Sequence, residues 1–357
     1  MTQRPILVIA GDIGGARAIA PAVAELERRG VPFAVVEHRF LKDETAPSWP
    51  RVELPPGTIE LSEHLGRHYA ACLFGTSVAD VLPLQVARKA QSAGVPVIAV
   101  LDNWMSYRTR LETDGMPMLE PDAYAVMDEL ARAEAIADGV PARCLVVVGH
   151  PGLASLAAEF DDFRRQSGAG AAGTRWLVVF ISEPAEIDQG ADASRPEFRG
   201  YTEKTVLTLL STCLQPYHDR VEVGLVAHPR ENARDLADHW DRCRGKLDGG
   251  LLPVRRGRDA VFRADAVCGM TSLLLLEALL LGKRVLSLQP GLRLRQLEFL
   301  QKKGLRLFVT SADAAATAVH ELMSSTTSVP RRQELELHEH AARNLADLVQ
   351  SFIGAKQ

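Results

Sequence analysis

The segment "GMTSLLLLEALLLGK", Gly269 to Lys283, places two hydroxyls, a carboxylate and a lysine around an apolar run. Eight of the ten residues from Leu273 to Gly282 are Leu or Ala, so a helix here is expected to be buried on most of its surface, and Glu277 lies inside it. Thr271 and Ser272 are suited to cap that helix, and its first amides and dipole favour an anion such as a diphosphate. Glu277 falls five residues past Ser272, about one and a half turns on, too far to be the capping partner expected at the third position. A buried, unpartnered carboxylate costs several kcal/mol, on the order of a lost fraction of a whole domain's stability, so Glu277 must either pair with an Arg or Lys or meet the hydroxyls of a ligand.

Other chemistry-bearing groups fall directly after short apolar runs. "GDIGG" supplies Gly11, Gly14 and Gly15 for a tight turn that presents amides, with Asp12 between them. "LDNWMSYRTR" brings Asp102 together with Trp104, Tyr107 and Arg108, a carboxylate, stacking faces and a cation in one loop, whereas Asp80 in "FGTSVAD" is expected on a helix surface. "VGHPGL" contributes His150, and "ISEPAE" contributes Ser182 and Glu183. "AHPREN" gathers His228, Arg230 and Glu231, a titratable ring beside a guanidinium fork that fits phosphate or carboxylate.

The elements that position these groups alternate. "ILVIA", "FAVVE", "YAACLFG", "VPVIAVLD" and "RCLVVVG" read as buried strands separated by amphipathic helices. The pattern repeats from "WLVVFIS" through "VEVGLVAHP", "ADAVCGM", "RVLSLQP" and "RLFVTS". The expectation is an α/β protein of two Rossmann-like doubly wound domains facing across a crevice. The boundaries read from the sequence are an N-terminal domain over 1–160, a Gly/Ala-rich linker over 161–174, a C-terminal domain over 175–330 and a terminal amphipathic helix over 331–357. In such sheets ligands gather at the carboxyl ends of the strands, where the groups named above fall.

Composition narrows the function. The chain has 357 residues, 46% hydrophobic and 24% charged, enough to bury two cores. A net charge of -4 gives no field that would recruit nucleic acid. Five scattered cysteines with no CxxC argue against a disulfide framework or a zinc site, and no metal is expected. Neither a signal-peptide layout nor a run of about 20 apolar residues is present, so a cytoplasmic location is expected.

With these motifs in place, the chain resembles the GT-B nucleotide-sugar superfamily, in which MurG-type N-acetylglucosaminyltransferases and UDP-N-acetylglucosamine 2-epimerases share one architecture. The resemblance runs over nearly the whole chain and is sharpest at "G-x-T-S…E…G-K-x-V". It implies that Gly269, Met270, Thr271 and Ser272 approach the donor diphosphate, that Glu277 holds the ribose hydroxyls, and that Gly11, Gly14 and Gly15 match the "GGTGG" loop of the transferases. Ala16 stands where the MurG-type loop carries His. "HPREN" is similar to the epimerases' "HRREN", with Pro229 as the departure, while Thr76 and "LDNWMSY" replace carboxylate segments of that family.

The implied function is a metal-independent glycosyltransferase using a nucleotide sugar, UDP-linked by the resemblance, without a further cofactor, in polysaccharide, glycolipid or natural-product biosynthesis. A lipid-linked acceptor would add peripheral membrane contact. Arg230 and the helix start at Ser272 would neutralise the leaving group in the absence of a DxD triplet. Asp102 is the first choice of base, with Asp12 and His150 behind it. The alternatives are a 2-epimerase or sugar-nucleotide hydrolase with His228 as acid, and a non-catalytic nucleotide-binding protein.

Overall fold

The computed structural model describes residues 3–39, 41, 45–55, 58–113, 115–167, 175–326 and 329–354. Two compact units divide the chain, one formed by Met1–Leu156 with Gln333–Gln357, the other by Ala157–Arg332.

In the first unit, β1 (Ile6–Ile9), β2 (Phe33–Val36), β3 (Arg51–Val52), β4 (Ala71–Gly75), β5 (Val97–Val100), β6 (Ala123–Val126) and β7 (Leu145–Val147) form one sheet in the order 3-2-1-4-5-6-7. Every neighbouring pair in it is parallel. Parallel strands are covered on both faces, which is why Ile6, Leu7, Val8 and Ile9 are all fully buried with no polar residue alternating among them. The helix Ile13–Arg28 follows β1 and buries Ala18, Ile19, Ala22, Val23 and Leu26 in the same core. Leu345, Ala346 and Val349 of the helix Ala341–Gly354 complete that core, and Arg29 ties the two helices through Asp347 at 2.5 Å and Gln350 at 2.6 Å.

The second unit repeats the plan. Its strands are β8 (Trp176–Ile181), β9 (Val221–Val226), β10 (Asp248–Leu251), β11 (Ala266–Gly269), β12 (Arg284–Leu288) and β13 (Phe308–Val309), ordered 10-9-8-11-12-13 and again parallel throughout. Both sheets therefore reverse direction beside their first strand, between β1 and β4 and between β8 and β11. A crevice opens at such a switch point because successive helices leave to opposite faces.

Two segments differ from the sequence expectation. The expected linker over 161–174 is helical up to Ser167, in the helix Leu156–Ser167, and residues 168–174 lie outside the described residues. Phe160 and Phe163 of this helix pack on Phe262 at 5.4 and 5.7 Å between ring centroids, which puts it with the second unit and moves the boundary to Leu156. The terminal segment is two helices, Arg332–Glu339 and Ala341–Gly354, and from Gln333 it belongs to the first unit. All five cysteines are free thiols. No helix among the described residues is long and apolar enough to cross a membrane.

Candidate functional site

The second unit's switch point is lined by the loops after β8 and β11. Ser182 and Glu183 leave the first, and Met270, Thr271 and Ser272 leave the second. Glu183 is buried and takes two hydrogen bonds from Thr271, one from the backbone N–H at 2.5 Å and one from the hydroxyl. Burial pushes the Glu183 carboxyl above the usual carboxylate range, against those bonds and the charge of Arg199. A carboxylate thus already stands at donors that the sequence assigned to a diphosphate. Ser272 caps the helix Leu273–Leu280, its side chain accepting from the Leu274 N–H at 3.3 Å. The Met270 carbonyl is fixed from behind by the Ser287 hydroxyl at 2.6 Å and the Gln289 amide at 3.2 Å, and Tyr201 holds Gln289 in turn at 3.1 Å.

Glu277 is buried, and both its oxygens accept from Arg258, at 2.9 Å from Nε and 2.7 Å from Nη2. Burial by itself would lower the Arg258 pKa, but the Glu277 charge and hydrogen bonds outweigh it and the guanidinium is raised. Arg258 also reaches Glu159 at 3.2 Å, and Glu159 accepts from Arg256 at 3.0 Å. The carboxylate in the leucine run is therefore the inner member of a charge network. A carboxylate has about four lone-pair positions, so a bidentate arginine leaves two for further donors.

β9 delivers His228, Arg230 and Glu231 to the same end of the sheet. Glu231 is the organiser, accepting from the His228 N–H at 2.7 Å and the Ser182 hydroxyl at 2.7 Å, and burial raises its carboxyl. Arg230 is forked onto Asp188 at 2.7 and 3.3 Å, and Asp188 is shared with Arg199 at 2.9 Å. With about a third of its side chain exposed, Arg230 keeps donors beyond that pair. The Nδ1 of His228 accepts from the Arg230 N–H at 3.2 Å.

In the first unit the loops after β1 and β4 mirror this arrangement. The Ser77 hydroxyl donates to the Asp12 carboxylate, so here too a carboxylate after the first strand meets a hydroxyl across the reversal of strand order. Gly11 and Gly14 are required by close approach: a Cβ at Gly11 would lie 1.8 Å from Asp80 Oδ2, and one at Gly14 would lie 2.0 Å from Asp102 Oδ2. Three carboxylates, Asp12, Asp80 and Asp102, thus border the glycine loop.

Asp102 is ion-paired with Arg110 at 2.5 Å, and Arg110 also reaches the Met105 carbonyl at 3.2 Å. The expected grouping with Trp104, Tyr107 and Arg108 is not what forms: Trp104 and Tyr107 are buried, Arg108 pairs with Glu112 at 2.6 Å, and the cation on Asp102 comes from eight residues along the loop. Asp80, expected on a surface, is buried and held by His38 at 2.7 Å and Arg39 at 3.3 Å. His150 is 1% exposed, and its Nε2–H donates to the Asp102 carbonyl at 3.0 Å, so it faces backbone where a substrate would be needed. Sequence reasoning missed Arg258, Glu159, Arg110, His38 and Asp80 as site components; the signal available was only that Arg110 and Asp80 share loops with singled-out residues. Among the described residues no group of three or more His, Cys, Asp or Glu is placed to hold a metal ion.

No protein-family model matches the chain, and no curated protein matches it. Solved structures do. UDP-GlcNAc 2-epimerase from Neisseria meningitidis, bound to UDP-GlcNAc, aligns with 97% of this chain and 100% of its own at a TM-score of 0.63 and 12% identity. MurG from Acinetobacter baumannii aligns over 98% and 99% at a TM-score of 0.55 and 12% identity. HepE from Anabaena, in complex with UDP-glucose, aligns over 99% and 98% at a TM-score of 0.56 and 14% identity. At such identities the likeness establishes the architecture, and the chain has the GT-B-like fold of two Rossmann-like units that these nucleotide-sugar proteins share.

Proposed function

We propose that the protein is a metal-independent glycosyltransferase that takes a UDP-linked sugar in its second unit and passes it to a hydroxyl acceptor. The observation that carries this reading is the helix Leu273–Leu280, which starts at a switch point with Thr271 and Ser272 and presents Glu277 one and a half turns on. A diphosphate at the helix start gains from its amides and dipole, and ribose hydroxyls can use the acceptor positions that Arg258 leaves on Glu277. Thr271 is engaged by Glu183, so the diphosphate meets Ser272 first and has to share or displace the Glu183 bonds.

For an inverting transfer the acceptor hydroxyl gives its proton to a carboxylate of the first unit while its oxygen forms the bond to the anomeric carbon. The bond from that carbon to the diphosphate breaks, and the nucleoside diphosphate leaves with the electron pair. Asp102 is already engaged by Arg110, and Asp12, partly exposed and oriented by the Ser77 hydroxyl, is the better placed of the two to meet the acceptor hydroxyl. Asp102 then serves to hold the loop beside Gly14.

A second reading, sugar-nucleotide 2-epimerisation, is favoured by the higher TM-score to the epimerase, 0.63 against 0.55 and 0.56, and by His228 beside Glu231. Incubation with UDP-, GDP-, CDP- and dTDP-sugars in the absence of acceptor separates the readings. Slow release of the nucleoside diphosphate supports the transferase, a C2-inverted sugar supports the epimerase, and tight binding without turnover marks a nucleotide-binding protein without catalysis.

A further inference from the structure

The first unit's site is completed by the far end of the chain. His338, in the helix Arg332–Glu339, is fully buried, and its Nδ1 accepts the backbone N–H of His150 at 3.1 Å. His150 in turn donates from Nε2 to the Asp102 carbonyl at 3.0 Å, which fixes its tautomer. Its ring stacks on Trp104 with centroids 5.8 Å apart and 18° between planes, and Trp104 anchors to Asp128 through its indole N–H at 2.9 Å. His338 meets the same indole edge-on at 6.2 Å, while Asn344 donates to the Val148 carbonyl at 3.1 Å just before this turn.

Packing alone does not account for an imidazole at this place. A leucine or methionine would fill the space without the cost of burying a polar ring, so the ring is best explained by the hydrogen bond it accepts. We propose that His338 is a positioning residue for the first unit's reaction site: by holding the His150 backbone it fixes the His150 ring, and through it the Asp102 carbonyl and the loop that sets the Asp102–Arg110 pair against Gly14 beside Asp12. The proposal rests on the reading of this sheet edge as the place where the acceptor hydroxyl is deprotonated.

The test compares full-length wild type with His338→Ala and His338→Asn, whose amide oxygen can accept the same N–H. Solvent exchange of the His150 Nε2–H proton, followed by NMR, reports the positioning without any need for turnover. Steady-state turnover of UDP-GlcNAc or UDP-glucose reports its consequence. For the alanine variant we expect exchange faster by on the order of tenfold and kcat lower by on the order of tenfold, with donor KM within about twofold because the second unit is untouched. The asparagine variant restores both.

Unchanged exchange in the alanine variant overturns the inference whatever the activity. Faster exchange with unchanged kcat overturns it as well, because the Asp102 loop then has no part in the rate. If the alanine variant does not fold, the asparagine variant decides alone: slow exchange and near-normal kcat support the proposal, and fast exchange in a folded protein overturns it. If wild type turns over no nucleotide sugar while exchange responds as expected, the proposed function fails and the hydrogen-bond relay stands.

Discussion

Replacing Arg258 by Met is the sharpest structural test of the charge network around Glu277. The guanidinium makes two hydrogen bonds to a carboxylate whose side chain is 5% exposed. Removing one partner of such a buried pair leaves the other charge uncompensated and costs about 3–5 kcal/mol, whereas replacing both by apolar groups of similar volume is about neutral or stabilising. For a unit of this size each kcal/mol moves the melting temperature by about 2–4 °C, so Arg258→Met should lower it by about 6–20 °C. The double variant Arg258→Met with Glu277→Leu should recover most of that loss. Urea and thermal unfolding of wild type, both single variants and the double variant give the coupling directly. A loss below about 1 kcal/mol in Arg258→Met, or a double variant as unstable as the single, would refute the assignment of Glu277 as a charge held by Arg258.

Three further outcomes follow from the geometry. Glu183→Gln removes a buried carboxylate whose folded pKa lies above the ordinary 4.5, so wild type alone loses stability as pH rises from that value through the raised pKa. The melting temperature of the variant relative to wild type should therefore climb over that window, and parallel pH profiles would contradict the burial argument. Asp12→Asn should lower turnover by about 10²–10⁴-fold with little change in melting temperature, whereas Asp102→Asn should chiefly lower stability by orphaning Arg110; the reverse pattern would return the base to Asp102. Gly14→Ala drives a methyl to within 2.0 Å of a carboxylate that Arg110 holds in place, and a cost of about 1–3 kcal/mol is expected by thermal unfolding.

Much of the fold was legible because parallel strands announce themselves as unbroken apolar runs, as in Ile6–Ile9 and Trp176–Ile181, each followed by glycine or polar residues at the strand tip. The helix Leu156–Ser167 escaped because its polar face dominates its composition and its apolar residues, Phe160 and Phe163, find their partner Phe262 about a hundred positions later. The site was legible to the extent that strand ends locate it: Asp12, Asp102, His228, Glu231, Thr271 and Ser272 do stand there. What they touch was not, because the pairing of Glu183 with Thr271, of Asp102 with Arg110 and of Glu277 with Arg258 is set by which loops the sheet order makes neighbours. Those partners change the chemistry, turning the expected base into an ion pair and putting a carboxylate at the expected anion site.

The central claim is that the second unit grips a nucleotide sugar through the helix that carries Glu277. Calorimetric titration of UDP-GlcNAc and UDP-glucose into wild type and Glu277→Gln tests it most directly. Loss of a charge-assisted hydrogen bond of about 1.5–3 kcal/mol predicts affinity weaker by about 10-fold to 150-fold in the variant, with the protein still folded. Equal affinity of the two proteins for both sugars, or no binding by wild type, would contradict the account.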